Sequence, residues 1–223
     1  MKNLIKADLH IHTCYSGDSD ITLDKLIEQC QRIGLGAIAV TDHGTAEGAL
    51  ELSRRSLPIT LIVGEEIASS EGEIIGLFLK ESIPNKLSPE DTIQRIRDQE
   101  GIVCIPHPFD RYRSSAIQES TFDRIVGMVD IIEVFNSRTI PFQNLKLPDE
   151  FAQKHQLLRG AGSDSHSTAE IGRAFVTIPE FSNREEFLQS MAESEIIGKR
   201  ADIAVYYRSL LRRTRKLVKG NNK

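Results

Sequence analysis

Short apolar, β-branched runs alternate along this chain with segments whose apolar residues recur every third or fourth position. The first pattern predicts strands and the second predicts amphipathic helices. Strands are expected over residues 4–9, 37–41, 59–67, 73–79, 102–105, 130–135, 157–161 and 173–178. Helices are expected over 23–33, 46–55, 88–99, near 122–128, 149–154 and 184–192. Capping chemistry marks several boundaries. Thr22 is placed to cap the first helix, and Gly34 to end it in a left-handed turn. Ser88-Pro89-Glu90-Asp91 combines an N-cap, a first-turn proline and two acids at the positive end of a helix dipole. The 59–67 and 73–79 runs lie close enough to pair across Ser70-Glu71-Gly72. This βα alternation predicts a parallel sheet, open or closed, and about seven βα units favour a barrel. The alternation ends near Gly198, so 1–198 is expected to be one domain and 199–223 a basic C-terminal helix or tail.

Composition narrows the class. The 223 residues are 39% hydrophobic and 6% aromatic with no Trp, adequate for one packed core. No apolar run is long enough to span a bilayer, and Met1-Lys2-Asn3-Leu4-Ile5-Lys6 does not resemble the apolar core of a signal peptide. Three widely spaced cysteines, Cys14, Cys30 and Cys104, suit reduced thiols in a cytoplasm better than a disulfide framework. The net charge of −4 hides an asymmetry: residues 199–223 hold nine Lys or Arg and one acid. The rest of the chain is therefore strongly acidic. Bound divalent cations would reverse that charge locally.

The histidines carry the chemical signal. Five of the six sit in short segments where predicted strands stop: Asp8-Leu9-His10-Ile11-His12, Thr41-Asp42-His43, Pro106-His107-Pro108 and Ser163-Asp164-Ser165-His166. Strand C-terminal ends are where α/β folds place ligand-binding side chains. His10 and His12 are two apart on a strand, which puts both imidazoles on one face and begins a transition-metal site. Asp8 has the same parity and is expected to orient His10 from behind. Asp164 and His166 repeat the spacing. Glu65 and Glu66 end an apolar strand; one is expected to point inward and the other into solvent. Asp18, in the loop Ser16-Gly17-Asp18-Ser19-Asp20, and Asn136, at a strand end, are further oxygen donors, with Asp20 the alternative to Asp18. His155 lies in a polar helix and reads as a surface residue.

Taken together, Asp8-x-His10-x-His12, Thr41-Asp42-His43-Gly44, Gly64-x-Glu66-Ile67, Pro106-His107-Pro108 and Ser163-Asp164-x-His166 resemble the PHP (polymerase and histidinol phosphatase) family over about residues 5–178. The resemblance implies a distorted (β/α)7 barrel with two to three divalent metal ions (Zn, Mn or Fe). It implies hydrolysis of a phosphate monoester by a metal-activated water at a trinuclear site. His10, His12, Glu66 and Asp164 would surround one metal. Glu66 would bridge to a second, held with His107 and Asn136. Asp18, His43 and His166 would hold a third. Among these, His10, His12, Glu66, His107, Asp164 and His166 would form the catalytic set. Asn136 stands where some relatives carry His. Three divalent ions against the carboxylates of Asp18, Glu66 and Asp164 leave a positive balance that suits a phosphate dianion.

Arg111, Arg113 and Arg138 follow these motifs and are candidates to bind substrate, because guanidinium forks match phosphate geometry. The substrate expected is small and phosphorylated: a phosphometabolite or a nucleotide. Specificity is expected in residues 69–72, 109–116 and 138–146. Two rivals stand beside this reading. An amidohydrolase acting on C–N bonds also opens with His-x-His, but typically bridges its metals through a carboxylated Lys, which Cys104-Ile105-Pro106-His107 lacks. The other is an inactive scaffold that binds nucleic acid through the basic tail, where Arg212, Arg213, Arg215 and Lys216 cluster.

Overall fold

The computed structural model describes residues 3–140, 143–144 and 146–201. The basic cluster at 208–219 lies outside them. Among the described residues nine strands form one sheet: β1 (Leu4–Ile11), β2 (Ala37–Val40), β3 (Thr60–Ser69), β4 (Gly72–Leu77), β5 (Ile102–Ile105), β6 (Ile131–Asn136), β7 (Leu158–Gly162), β8 (Ala174–Pro179) and β9 (Glu195–Gly198). Their order is β7-β6-β5-β4-β3-β2-β1-β8-β9. The first seven curl until the end of β7 meets β1. There the Asp164 N–H donates to the His10 carbonyl at 2.8 Å, and the His12 N–H to the Ser165 carbonyl at 3.1 Å. The result is a nearly closed barrel.

Among the described residues six helices flank it: α1 (Leu23–Ile33), α2 (Glu47–Ser53), α3 (Pro89–Asp98), α4 (Glu119–Ile125), α5 (Lys146–His155) and α6 (Arg184–Met191). The caps explain their limits. Gly34 adopts φ 72° and closes α1, whereas the Thr22 side chain makes no capping hydrogen bond. Ser88 Oγ accepts the Asp91 N–H at 3.0 Å and starts α3. α4 begins at Glu119, ahead of the expected 122, and passes into a 3₁₀ turn at Val126–Met128. α5 begins at Lys146 rather than 149.

The sheet is mixed, which corrects the expected parallel arrangement. Pairings β1–β2, β2–β3, β5–β6 and β6–β7 are parallel, while β3–β4, β4–β5, β1–β8 and β8–β9 are antiparallel. The physical reason is connection length. A tight turn after Ser69 folds β4 straight back on β3, and β8 returns along β1 with no helix to carry it over the sheet. β9 was not anticipated; its Ile196 and Ile197 are too few to show a period.

Three apolar clusters hold the layers. One fills the barrel with Ala7, Leu9, Ile62, Ile102, Ile131 and Ala161. A second packs α3, α4 and α5 on β4–β6 through Ile96, Val103, Phe122 and Ala152. The third packs α1 and α2 on β1 and β2 through Ile11, Leu26, Ile38 and Leu52. Ala7 and Leu9 thus face the barrel interior and Ile11 the helices. The side-chain parity of β1 changes between them, where the β1–β2 register shifts. Such a bulge re-aims side chains, and here it turns His10 and His12 inward.

Candidate metal centre

Glu66 is the hub of the barrel mouth. It is 1% exposed. Its Oε1 lies 3.0 Å from His107 Nε2 and 3.4 Å from His10 Nε2. Its Oε2 lies 3.4 Å from His12 Nε2 and 2.8 Å from His43 Nδ1. Four imidazoles from the ends of three strands, β1, β2 and β5, therefore converge on one carboxylate. Asp164 Oδ1 is 3.4 Å from His12 Nε2 and 3.5 Å from His166 Nδ1. Asp18 Oδ2 lies 3.3 Å from His166 Nε2 and 3.7 Å from His43 Nε2. The exposed Asp20 does not share this position.

The tautomers of two histidines can be read from their outer partners. His10 Nδ1 is 3.0 Å from Glu133 Oε1, so it carries the proton and donates. His12 Nδ1 is 3.0 Å from Ser16 Oγ, whose own proton goes to Asp42 Oδ1 at 2.6 Å. Both Nε2 lone pairs are then turned inward, and they stand only 3.0 Å apart. Two facing lone pairs repel unless a positive centre lies between or beside them. Buried carboxylates on the same volume add to that demand. This donor set fits divalent metal ions. Among the described residues three groups have ligand atoms within 4.8 Å of one another: His10, His12 and Glu66; His12, His43 and His166; and His43, Glu66 and Glu73.

Burial and the neighbouring charges displace these groups in opposite directions. Burial disfavours ionised Glu66, yet His10 and His43 hold its carboxyl well below the usual range. Burial likewise opposes ionised Asp164, and Arg113 and His10 overcome it. Burial works against protonated His10, but Glu66, Glu133 and Asp164 hold its imidazole well above the usual value. His12 is pushed the other way, by burial and by His43 and His166. A dense cluster with titrations driven apart is the signature of a functional site.

Four side chains depart from their sequence reading. Asp8 does not orient the His10 ring. The change of parity in β1 leaves it on the other face, where it accepts the Ser163 N–H at 2.9 Å and the Gly172 N–H at 3.0 Å. Glu133 orients His10 instead, and it also accepts the His107 N–H at 2.6 Å. Glu65 is not solvated. It is fully buried beneath the loop after β4, where it accepts the Ile83 N–H at 2.8 Å. Asn136 is buried at the site but turned away from a ligand's role. Its Oδ1 is taken by the Arg138 N–H at 2.8 Å, and its Nδ2 faces Glu133 Oε2 at 2.9 Å and Asp164 Oδ2 at 3.3 Å. His155 is half-buried, its ring centroid 4.4 Å from that of Phe151.

Glu73 was missed. It projects from β4 with Oε2 3.3 Å from His107 Nε2 and Oε1 3.9 Å from His43 Nδ1, offering a carboxylate where Asn136 offers an amide N–H. The strand parity of Glu73 with Ile75, which packs in the barrel, was the available signal.

Of the three arginines, Arg113 and Arg138 reach the site. Arg113 Nη2 is 2.5 Å and Arg138 Nη1 3.8 Å from the Asp164 carboxylate. Arg111 is exposed and lines a neighbouring cavity. Local geometry is unusual where these groups meet. His107 and Asp164 adopt φ of 32° and 52°, a region non-glycine residues avoid. Gly162 is required by close approach: a Cβ there would come within 2.2 Å of His10 Cβ. Asp42 clamps the loop after β1 through Thr13 N and Oγ1, both at 2.6 Å, which carries Asp18 to the centre.

Comparison with known proteins places this geometry. An uncharacterised protein of Methanocaldococcus jannaschii, MJ1587, is 40% identical over 146 residues, 60% of this chain and 82% of its own. A two-domain Bacteroides vulgatus protein, described as containing a predicted PHP-like metal-dependent phosphoesterase, superposes with TM-score 0.65 at 19% identity, over 89% of this chain and 66% of that one. A lesion-specific endonuclease of Pyrococcus furiosus, endonuclease Q, superposes with TM-score 0.63 at 16% identity, over 87% of this chain and 58% of that one. The chain thus spans less than two thirds of these two larger proteins, and at such identities the likeness is one of fold. The model of the PHP domain matches residues 8–200. This chain belongs to the PHP domain family.

Proposed function

We propose that the protein is a metal-dependent phosphoesterase that hydrolyses a phosphate monoester of a small phosphometabolite or nucleotide. The observation that carries the reading is the convergence of His10, His12, His43 and His107 on Glu66, with Arg113 and Arg138 beside Asp164.

His10, His12, Glu66 and Asp164 would hold one of two to three divalent ions (Zn, Mn or Fe). Glu66 would be shared with a second site completed by His107, with Glu73 rather than Asn136 as the further oxygen donor. Asp18, His43 and His166 would form a third. Bound divalent cations supply Lewis acidity that polarises a phosphoryl oxygen and acidifies water.

The chain's own groups do the rest. Glu133 and Ser16 keep the Nδ1 protons of His10 and His12 on the outside, so both Nε2 atoms stay available as donors. Arg113 and Arg138 would release part of their hold on Asp164 to clamp the phosphate oxygens, positioning the ester and offsetting its charge. Asn136 Nδ2 donates to both Glu133 and Asp164 and so bridges these two carboxylates. The C–N hydrolase reading is disfavoured because Cys104-Ile105-Pro106-His107 offers no lysine to carboxylate, and Glu66 would bridge the metals in its place.

The test is a panel of phosphomonoesters assayed with protein loaded with Mn²⁺ or Zn²⁺ and with metal-stripped protein. Turnover of at least one monoester that disappears on stripping supports the reading. A panel silent with metal, alongside cleavage of amides or of internal phosphodiesters, overturns it. No helix among the described residues is long and apolar enough to cross a membrane.

A further inference from the structure

We propose that a cavity beside the metal centre receives the leaving group of the ester, and that its walls select a nucleoside monophosphate. The proposal rests on the phosphoesterase reading above and names its substrate class.

The cavity has a volume of about 500 Å³, within the range of pockets that enclose small organic ligands. It is built between the segment after His107 and helix α5. One side chain belongs to both places: Arg113 lines the cavity while its guanidinium touches Asp164 of the metal centre at 2.5 Å. An ester whose phosphate sat at the centre would therefore point its leaving group into this space.

The walls say what that group is. Phe109 and Phe151, with ring centroids 5.3 Å apart, join Leu147 to make an apolar, ring-lined surface. Leu147 is 40% exposed, an apolar side chain at the edge of the cavity. Tyr112 stands 68% exposed between Arg111 and Arg113, on the segment that forms one wall. Aromatic and arginine faces presented together are a stacking platform for flat rings.

The polar rim narrows the class further. Arg111, Arg113 and Lys154 are balanced by Asp110, Glu119 and Glu150. A second phosphate or a polyanionic tail would meet three carboxylates. A plain alkyl group would leave a charged rim unused. A nucleobase is flat, apolar on its faces and carries both donors and acceptors on its edges, matching both features. The class that fits is therefore a free nucleoside monophosphate rather than the phosphorylated end of a longer strand.

The test uses the full chain loaded with Mn²⁺. Substrates are AMP, glycerol 3-phosphate and a 5′-phosphorylated tetranucleotide. A preference for AMP over glycerol 3-phosphate in kcat/KM is expected. Leu147→Asp should lower that ratio in roughly the 10- to 200-fold range that loss of an apolar pocket contact gives. Leu147→Met should keep it. AMP should also be preferred over the tetranucleotide, whose further phosphates would meet the carboxylates of the rim, and the reverse preference overturns the proposal. Adenosine, which has no phosphate, supplies an independent readout by saturation-transfer NMR. Adenosine binding that Leu147→Asp abolishes upholds the cavity even where no monoester is turned over, and the phosphoesterase reading alone then fails. A wild type that prefers glycerol 3-phosphate, a ratio unmoved by Leu147→Asp, or no adenosine binding overturns the proposal.

Discussion

Nδ1 of His10 lies 3.0 Å from Oε1 of Glu133, at the bottom of the metal centre. The other oxygen of Glu133 holds the backbone N–H of His107 at 2.6 Å. One buried carboxylate therefore fixes the ring of one donor and the backbone of another. Glu133→Gln preserves the shape and removes the charge. Metal affinity should fall by about 10- to 100-fold, the usual cost of losing a group that orients a ligand. Competition titration against a chelator reads this directly. Unchanged affinity would show that His10 is positioned by packing alone.

His107→Ala and Asp164→Asn should each remove nearly all hydrolysis with little loss of helix content. Both residues sit where the backbone is left-handed, φ 32° and 52°. Asn tolerates that region better than Ala does, which makes it the cleaner change at Asp164. Lys25→Ala, on the exposed face of α1, is the control. Either site variant retaining near wild-type turnover would remove that residue from the reaction.

The purified protein should carry two to three transition-metal ions per chain by elemental analysis. Stripping them should lower the Tm, because binding to the folded state alone stabilises it, and because His10, His12 and Glu66 then face one another uncompensated. Readdition of Mn²⁺ or Zn²⁺ should restore the Tm. Less than one ion per chain, with no thermal response to added metal, would end the proposal of a metal centre here.

Glu65 gives a pH dependence with a defined sign. Burial pushes its carboxyl up to about 7 from 4.5, and the Ile83 N–H only partly opposes this. The folded state thus holds a proton that the unfolded chain releases more readily. The associated stability is fully present below the unfolded value, 4.5, and is lost as pH rises through about 7. Glu65→Gln carries no titrating proton. Its stability relative to wild type should rise between pH 5 and pH 8 in denaturant titrations. Parallel pH profiles for the two proteins would show that Glu65 stays ionised.

The sequence by itself determined most of the elements and marked most of the candidate metal donors. The period of α1, its closing Gly34 and the Ser88-Pro89 start of α3 depend on neighbours a few positions away, so they are legible locally. His10, His12, His43, His107, Asp164 and His166 were legible because each stops an apolar run. Strand ends of a βα fold share one rim, so marking the ends was enough to bring these residues together. Asp18 was preferred with Asp20 left possible, and the loop clamped by Asp42 sets Asp18 beside His166.

What only the tertiary structure decided concerns parity and partners. The bulge in β1 turns His10 inward and leaves Asp8 behind, so an even spacing of two did not mean a shared face. A bulge arises from pairing with β2, which no window around residue 8 contains. Glu73 and Glu133 reach the centre because β4 folds back antiparallel and β6 lies two strands from β1, across β7, once the barrel closes. Asn136 becomes a donor because the Arg138 N–H, in the turn that follows, occupies its oxygen. The cavity beside Arg113 exists because α5 packs against the segment after His107, a contact between parts of the chain far apart in sequence. Which residues can hold a metal was written locally. Which way each one points depends on strand pairing, and so on the whole fold.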